Sequence, residues 1–235
     1  ADITVDGRPV EAVVQLTKQS FAYVFDRVTG RPVWPIEERP VPPSDVPGER
    51  ASPTQPMPTR PPPYDRQGIT VEDLIDFTPA LRAEAIEAVK PFRLGSLFAP
   101  ASLRDAPDGT RGTLSLPGTV GGANWEHGAF DPETGMLYVG SNTLPAVLAL
   151  APGAERSDMD YVMVGGRVPT VQGLPLIKPP YSRITAIDLN TGEHAWMVPA
   201  GDTPPHIRDH PALQGITVPR TGSIARPVLL ATRTL

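Results

Sequence analysis

The sequence predicts an all-β protein, part of a β-propeller, and three observations carry that reading. A short phrase recurs: VFDRVTGRPVW ends at Trp34, AIDLNTGEHAW ends at Trp196, and a degenerate copy, AFDPETGMLYV, lies between them. The chain holds 31 Pro and 21 Gly in 235 residues, which favours many turns and disfavours long helices or a doubly wound sheet. Between the turns run β-branched and aromatic residues suited to paired strands.

Each copy of the phrase reads as a hairpin. An apolar strand leads to Asp26, Asp131 or Asp188, a Thr-Gly turn follows, and a second strand returns. Gly30, Gly135 and Gly192 can take the positive φ of a tight turn, and the preceding Asp can cap its amides. Trp34 and Trp196 are too large for a solvated hairpin and are expected to pack flat against the next blade. A single unit of this kind cannot bury its own face, so repetition supplies the missing surface.

Along the chain, residues 11–16 (EAVVQL) and 21–25 (FAYVF) are read as strands joined by TKQS at residues 17–20. Residues 35–70 form a Pro-rich insertion that cannot be a central strand; an extended linker and an ordered segment lying over a propeller face both remain open. Residues 71–90 form a short helical insertion. Thr70 and Asp73 offer a capping box before VEDLIDF, and Thr78 with Pro79 starts a helix that places Leu81, Ala85 and Val89 on one face before Pro91 ends it. Strands are expected again at residues 112–118, 128–140 and 145–150, a loop at 151–181, irregular chain at 201–215 and a last strand-like run at 228–235.

Composition excludes some classes. With a net charge of −5 and no basic cluster, there is no electrostatic footprint for nucleic acid. No apolar run is long enough to span a bilayer as a helix, ADITVDGRPV lacks the parts of a signal peptide, and the absence of Cys removes disulfides and thiolate metal sites. The chain opens without an initiator Met and stops within an apolar run, so it is expected to be a piece of a longer protein.

Candidate chemistry is sparse. His206 and His210 have a metal-like separation, but the flanking Pro204, Pro205 and Pro211 disfavour a helix that would align them. The pairs Glu37 with Glu38 and Asp158 with Asp160 read as solvated turn formers. Lys18, between two strands of one blade, is either a solvated side chain or a fixed charge at the mouth of a central cavity. GGANW, residues 121–125, is either a turn feeding a core Trp or a place where a ligand meets bare backbone beside the Asn124 amide and the Trp125 ring.

The ordered set TKQSFAYVFDRVTGRPVWP, SPTQPMPT, LFAPASL, GTLSLPGTVGGANW, AFDPETGMLYV and ITAIDLNTGEHAW resembles the pyrroloquinoline quinone (PQQ)-dependent dehydrogenases, in their glucose-dehydrogenase-like branch, over nearly the whole chain. The resemblance implies roughly four blades of an eight-bladed propeller that binds PQQ and a divalent metal, usually Ca²⁺. It also implies oxidation of a small-molecule alcohol or sugar in the periplasm, with electrons passed to a respiratory quinone or cytochrome, and leaves room for membrane attachment through other parts of the protein. It assigns Lys18, Asn124 and Trp125 to the cofactor. The family's catalytic Asp would precede Ala1 and the metal ligands lie earlier still, so no catalytic or metal residue is assigned here, Asp2 and Asp6 included. Glu126 and His127 depart from the small residues of the family pattern. An isolated piece is expected to be inactive. The rival reading is a non-catalytic propeller scaffold that uses the same hairpins to bind protein partners.

Overall fold

The computed structural model describes residues 1–124, 128–153, 157–225 and 227–232. It opens on an antiparallel meander of β1 (Asp2–Val5), β2 (Arg8–Leu16) and β3 (Ala22–Asp26). Asp6 and Gly7 join β1 to β2 at positive φ, 49° and 74°, the backbone that a two-residue hairpin needs to match strand twist. Alternation along β2 turns Ala12 and Leu16 inward. After β3 the chain reverses at Asp26 and runs back alongside it, with Pro32 bridging Phe25 and Val33 N–H donating to Val24 O at 2.9 Å.

The Pro-rich stretch is ordered. β4 (Ile36–Pro40) and β5 (Thr54–Pro58) pair antiparallel as a two-stranded ribbon, where outward-facing edges tolerate residues without an N–H. Tyr23 Oη donates to Pro56 O at 2.8 Å and ties the ribbon to β3. Thr70 N–H and Oγ1–H both donate to Asp73 Oδ2, at 2.9 and 2.8 Å, but the resulting 3₁₀ turn ends at Asp73. The helix expected over VEDLIDF stops because fully buried Leu74 and Ile75 continue as extended chain, Leu74 bridging Ile177 and Ile75 N–H donating to Leu176 O. α1 (Pro79–Val89) follows the sequence closely: Thr78 Oγ1 accepts from Leu81 N, and Leu81, Ala85 and Val89 are its buried residues.

The remaining strands are β6 (Ser102–Leu103), β7 (Thr113–Ser115), β8 (Gly128–Asp131), β9 (Met136–Asn142), β10 (Ala146–Pro152), β11 (Tyr161–Gly166), β12 (Thr170–Val171), β13 (Leu174–Pro175), β14 (Ser182–Asp188) and β15 (Glu193–Pro199). A second meander has the order β15-β14-β9-β8, all antiparallel. Between β9 and β14 the chain leaves this sheet. There β10 pairs β11 and β7 antiparallel and β6 parallel, while β12 and β13 form a small ribbon.

Roughly four blades were expected, whereas the described residues form two blade-like meanders. The strands read at residues 112–118 and 145–150 exist as β7 and β10, but they pair with each other and with β6 and β11 rather than building up-and-down units. The loop expected over 151–181 contains β11, β12 and β13, and the irregular chain at 201–215 contains α2 (Pro205–Arg208) and a 3₁₀ turn, Pro211–Leu213. Among the described residues, 228–232 are in no strand, and Val228 and Leu230 are exposed.

Two apolar cores result. One gathers α1 with Ile69, Leu74, Ile75 and the excursion residues Val171, Leu174 and Ile177. The other lies between the meanders, joining Ile3, Leu16 and Val24 of the first to Leu137, Val139 and Ile187 of the second, with Tyr64 and Ala123. The turn phrase explains their registry. Asp26 Oδ1 accepts from Val28 and Thr29 N–H, Asp131 Oδ1 from Glu133 N–H and Asp188 Oδ1 from Asn190 N–H. In each copy the following Gly, at φ +71°, +74° and +73°, returns its N–H to the Asp carbonyl. Trp34 docks as expected: a Cβ at Gly192 would lie 2.9 and 3.0 Å from its ring atoms. Trp196 is 44% exposed and meets Tyr138 of its own sheet, centroids 5.7 Å apart.

On β15, His194 Nε2 lies 3.1 Å from Pro62 O, and burial first of all holds its pKa below the usual imidazole range. The folded state therefore favours the neutral ring, and the unfolded state takes up the proton at higher pH. Stability should fall as pH drops through about 6.5, the ordinary imidazole value. In His194→Gln, whose amide can still donate to Pro62 O, thermal midpoints measured from pH 7.5 to 5.5 should show a flatter decline than in the parent protein.

Candidate functional site

The turn at residues 17–20 links β2 to β3 at the end of the first meander. Ser20 N–H donates to Thr17 O at 3.0 Å, and Ser20 adopts φ +70°, a left-handed conformation that costs a residue with a Cβ about 1–2 kcal/mol. Every carbonyl of the turn has a partner. Thr17 O accepts from Tyr64 Oη, Lys18 O from Gly122 N–H at 3.0 Å, Gln19 O from Gln67 Nε2 at 2.6 Å, and Ser20 O from Tyr64 N–H at 3.0 Å. The strained turn is thus held from outside, by residues 64–67 on one side and by residues 121–122 on the other.

Lys18 projects its side chain to the surface, and Nζ donates to Thr119 O at 3.2 Å. Its stem lies on Gly121: with φ +79°, a Cβ there would sit 2.7 Å from Lys18 Cβ and Cγ and 2.8 Å from its Cα. Gly122 is equally constrained, since its Cβ would collide with Ser20 Oγ. The two glycines let two backbones approach where no side chain fits. They place the Lys18 turn directly against the segment carrying Asn124, a part-buried residue that follows buried Ala123. Lys18 and Asn124 are thereby brought to neighbouring segments. Trp125, Glu126 and His127 lie outside the described residues.

Behind these segments is a buried ion pair. Arg183 Nη2 lies 3.2 Å from Asp65 Oδ1, with side chains 6% and 1% exposed. Thr143 Oγ1 donates to Asp65 Oδ1 at 2.8 Å and accepts from Arg183 Nη2 at 3.0 Å. Arg66 donates to the carbonyls of Lys178 and Pro179; burial first, then the like charge of Arg183, keeps its pKa below the usual guanidinium value. Burial also pushes the Tyr64 and Tyr181 phenols well above their ordinary range, so both are neutral and Tyr64 remains a donor to the turn.

Sequence reasoning passed over residues 64–67, Thr143 and Arg183. The signal for Arg183 was present, a basic residue at the start of the strand SRITAID, whose other charge is the turn Asp188; Asp65, after a Pro run, carried none. His210 is structural: Nδ1 accepts from Ala212 N–H and Nε2 meets Gln172 O at 3.0 Å. Among the described residues no three His, Cys, Asp or Glu converge as a metal site.

Along nearly its whole length the chain is similar to known proteins. Residues 1–234 match the family model described as PQQ: glucose/ethanol/alcohol dehydrogenase, beta-propeller domain. The quinate/shikimate dehydrogenase (quinone) of Acinetobacter baylyi is 34% identical over 217 residues, covering 83% of this chain and 26% of that protein. The glycerol dehydrogenase large subunit of Gluconobacter oxydans is 30% identical over 225 residues, covering 83% and 30%. The quinoprotein glucose dehydrogenase of Escherichia coli is 26% identical over 220 residues, covering 83% and 26%. The chain therefore spans between a quarter and a third of the length of these curated relatives.

Proposed function

The chain belongs to the β-propeller family of PQQ-dependent glucose, ethanol and alcohol dehydrogenases, and from that membership we propose that it forms one wall of the quinone site in an enzyme that oxidises a sugar or another small alcohol. The observation that carries the reading is the Lys18 turn seated on Gly121 and Gly122, three and two residues before Asn124. The relatives are named as dehydrogenases of quinate, glycerol and glucose, which supports a polyhydroxylated substrate. We further propose an eight-bladed whole, a Ca²⁺ ion held by residues outside this chain, a periplasmic location and transfer of electrons to a respiratory quinone or cytochrome.

The residues present suit such a cofactor. Its carbonyl and carboxylate oxygens accept hydrogen bonds; Lys18 offers a surface ammonium on a stem whose base packs on Gly121, and the Asn124 side chain carries both donor and acceptor groups. PQQ, when bound, supplies a two-electron acceptor that side chains lack. The chain's own contribution is electrostatic and positional. Lys18 holds a positive charge where negative charge accumulates during substrate oxidation, at the end of a side chain whose first carbons pack on Gly121. Asn124 and, by resemblance, Trp125 orient the ring system. No proton-accepting group is assigned among these residues.

In the full-length protein, Lys18→Ala should weaken PQQ binding roughly 10- to 100-fold, the worth of one charge-assisted hydrogen bond of about 1.5–3 kcal/mol. The exposed side chain contributes little to the fold, so the thermal midpoint of the apoprotein should barely move. Titration by fluorescence quenching, with dye reduction by glucose, glycerol and quinate in the presence of PQQ and Ca²⁺, measures both. No PQQ binding by the parent protein, or equal affinity in Lys18→Ala, would overturn the assignment.

A further inference from the structure

The buried Asp65 and Arg183 pair is poorly explained as a stabilising device. Removing two charges from water costs several kcal/mol per ion, and apolar replacements of similar volume are often as stable or more so. The pair is also incompletely satisfied: Asp65 Oδ2, Arg183 Nε and nearby Ser20 Oγ are buried without a hydrogen-bond partner among the described residues. Polar groups kept in a core at such cost usually fix a geometry.

The connections of this pair lead to the site from two directions. Asp65 is continuous with Tyr64 and Gln67, which bind the carbonyls of Thr17, Gln19 and Ser20. Its carboxylate is joined to Thr143, and the preceding Asn142 N–H donates to Gly122 O at 2.7 Å, while Gly122 N–H donates to Lys18 O. Arg183, at the start of β14, holds Asp65 and Thr143 together. Its backbone pairs with Ser141 of β9, so the charge is anchored in the second meander. The ion pair is thus the crossing point of the clamp on the Lys18 turn, the segment leading to Asn124, and the second meander.

We infer that Asp65 and Arg183 are positioning residues that set the Lys18 turn and the Asn124 segment at the separation the quinone requires, an inference that rests on the proposed quinone site. An ion pair suits the task because its partners are specific in a way that apolar contacts are not. Loss of either charge lets the 64–67 clamp and the end of β9 shift independently, and the Gly122 bonds that couple them lengthen.

The test uses the full-length apoprotein and two variants: the neutral double Asp65→Asn/Arg183→Met, and Thr143→Val, which deletes the bridging hydroxyl at nearly constant volume and covers the case in which the double variant does not fold. Two readouts apply. PQQ affinity from fluorescence titration should drop at least tenfold in the double variant and about threefold in Thr143→Val, while adding Lys18→Ala to the double variant should cost much less than it does in the parent. Hydrogen exchange at the Gly122 and Tyr64 amides, read without cofactor, should speed up tenfold or more in the double variant and in the same direction in Thr143→Val. Unchanged exchange at both amides in a folded variant overturns the inference, as does parental PQQ affinity in that variant. Accelerated exchange in the variants of a parent protein that never binds PQQ would leave the positioning of the Lys18 turn and the Asn124 segment standing and sink the quinone site instead.

Discussion

Gly121→Ala in the full-length protein is expected to lose stability and quinone affinity together. The methyl must adopt φ +79° and would enter within 2.8 Å of Lys18 Cα, a backbone atom that cannot rotate aside. The left-handed conformation costs about 1–2 kcal/mol and the overpacking about 1–3 kcal/mol more, for a total of about 2–5 kcal/mol. Gly30 isolates the first contribution, because it has a similar φ of +71° with nothing within 4 Å of a Cβ. Gly30→Ala should therefore cost only the conformational share and leave PQQ binding at the parental level. Denaturation curves and PQQ titrations of the two variants side by side make the comparison. If Gly121→Ala is no worse than Gly30→Ala in either assay, the close seating of Lys18 is not what holds the site.

What could be read from sequence is what short-range chemistry decides. The three turn copies, the Thr78 cap and the buried stripe of Leu81, Ala85 and Val89 depend on residues within a few positions of one another, and each forms as expected. The contact of Lys18 with Gly121 joins residues about a hundred positions apart, so the residue types could mark both as candidates without placing them together. The Asp65 and Arg183 pair was illegible for the same reason: Arg183 stands out within its strand, but nothing near it in sequence names Asp65 as its partner. Blade count is undecided by such local signals. β7 and β10 have the composition of blade strands, but composition does not choose a strand's partner, and long-range packing against β6 and β11 drew them into another sheet. Helix over VEDLIDF lost to burial: Leu74 and Ile75 gain more by entering the core as extended chain than a second helical turn would return.

The docking of the first hairpin on the second is the other place where one methyl should matter most. Gly192 sits at φ +73° beneath the Trp34 ring, with the Arg60 Cβ 3.1 Å from where a methyl would stand. Arg60 also grips the turn, donating to Thr191 O at 3.1 Å and lying 3.4 Å from Glu193. Both neighbours of the new methyl are therefore tied down, and the indole cannot retreat without breaking its packing against the core between the meanders. Gly192→Ala should destabilise the full-length protein by about 2–5 kcal/mol, again the sum of a left-handed Ala and an overpacked contact. Trp34→Leu removes the two closer contacts and leaves the Arg60 Cβ at 3.1 Å, so in that background Gly192→Ala should cost little more than a left-handed Ala itself, about 1–2 kcal/mol. The coupling of about 1–3 kcal/mol between the two changes, within the range measured for residues in contact, is the signature of blade-on-blade docking. Strict additivity in chemical denaturation would mean that Trp34 merely covers the turn, and the recurring Trp would then have to be explained by something other than the joint between consecutive blades.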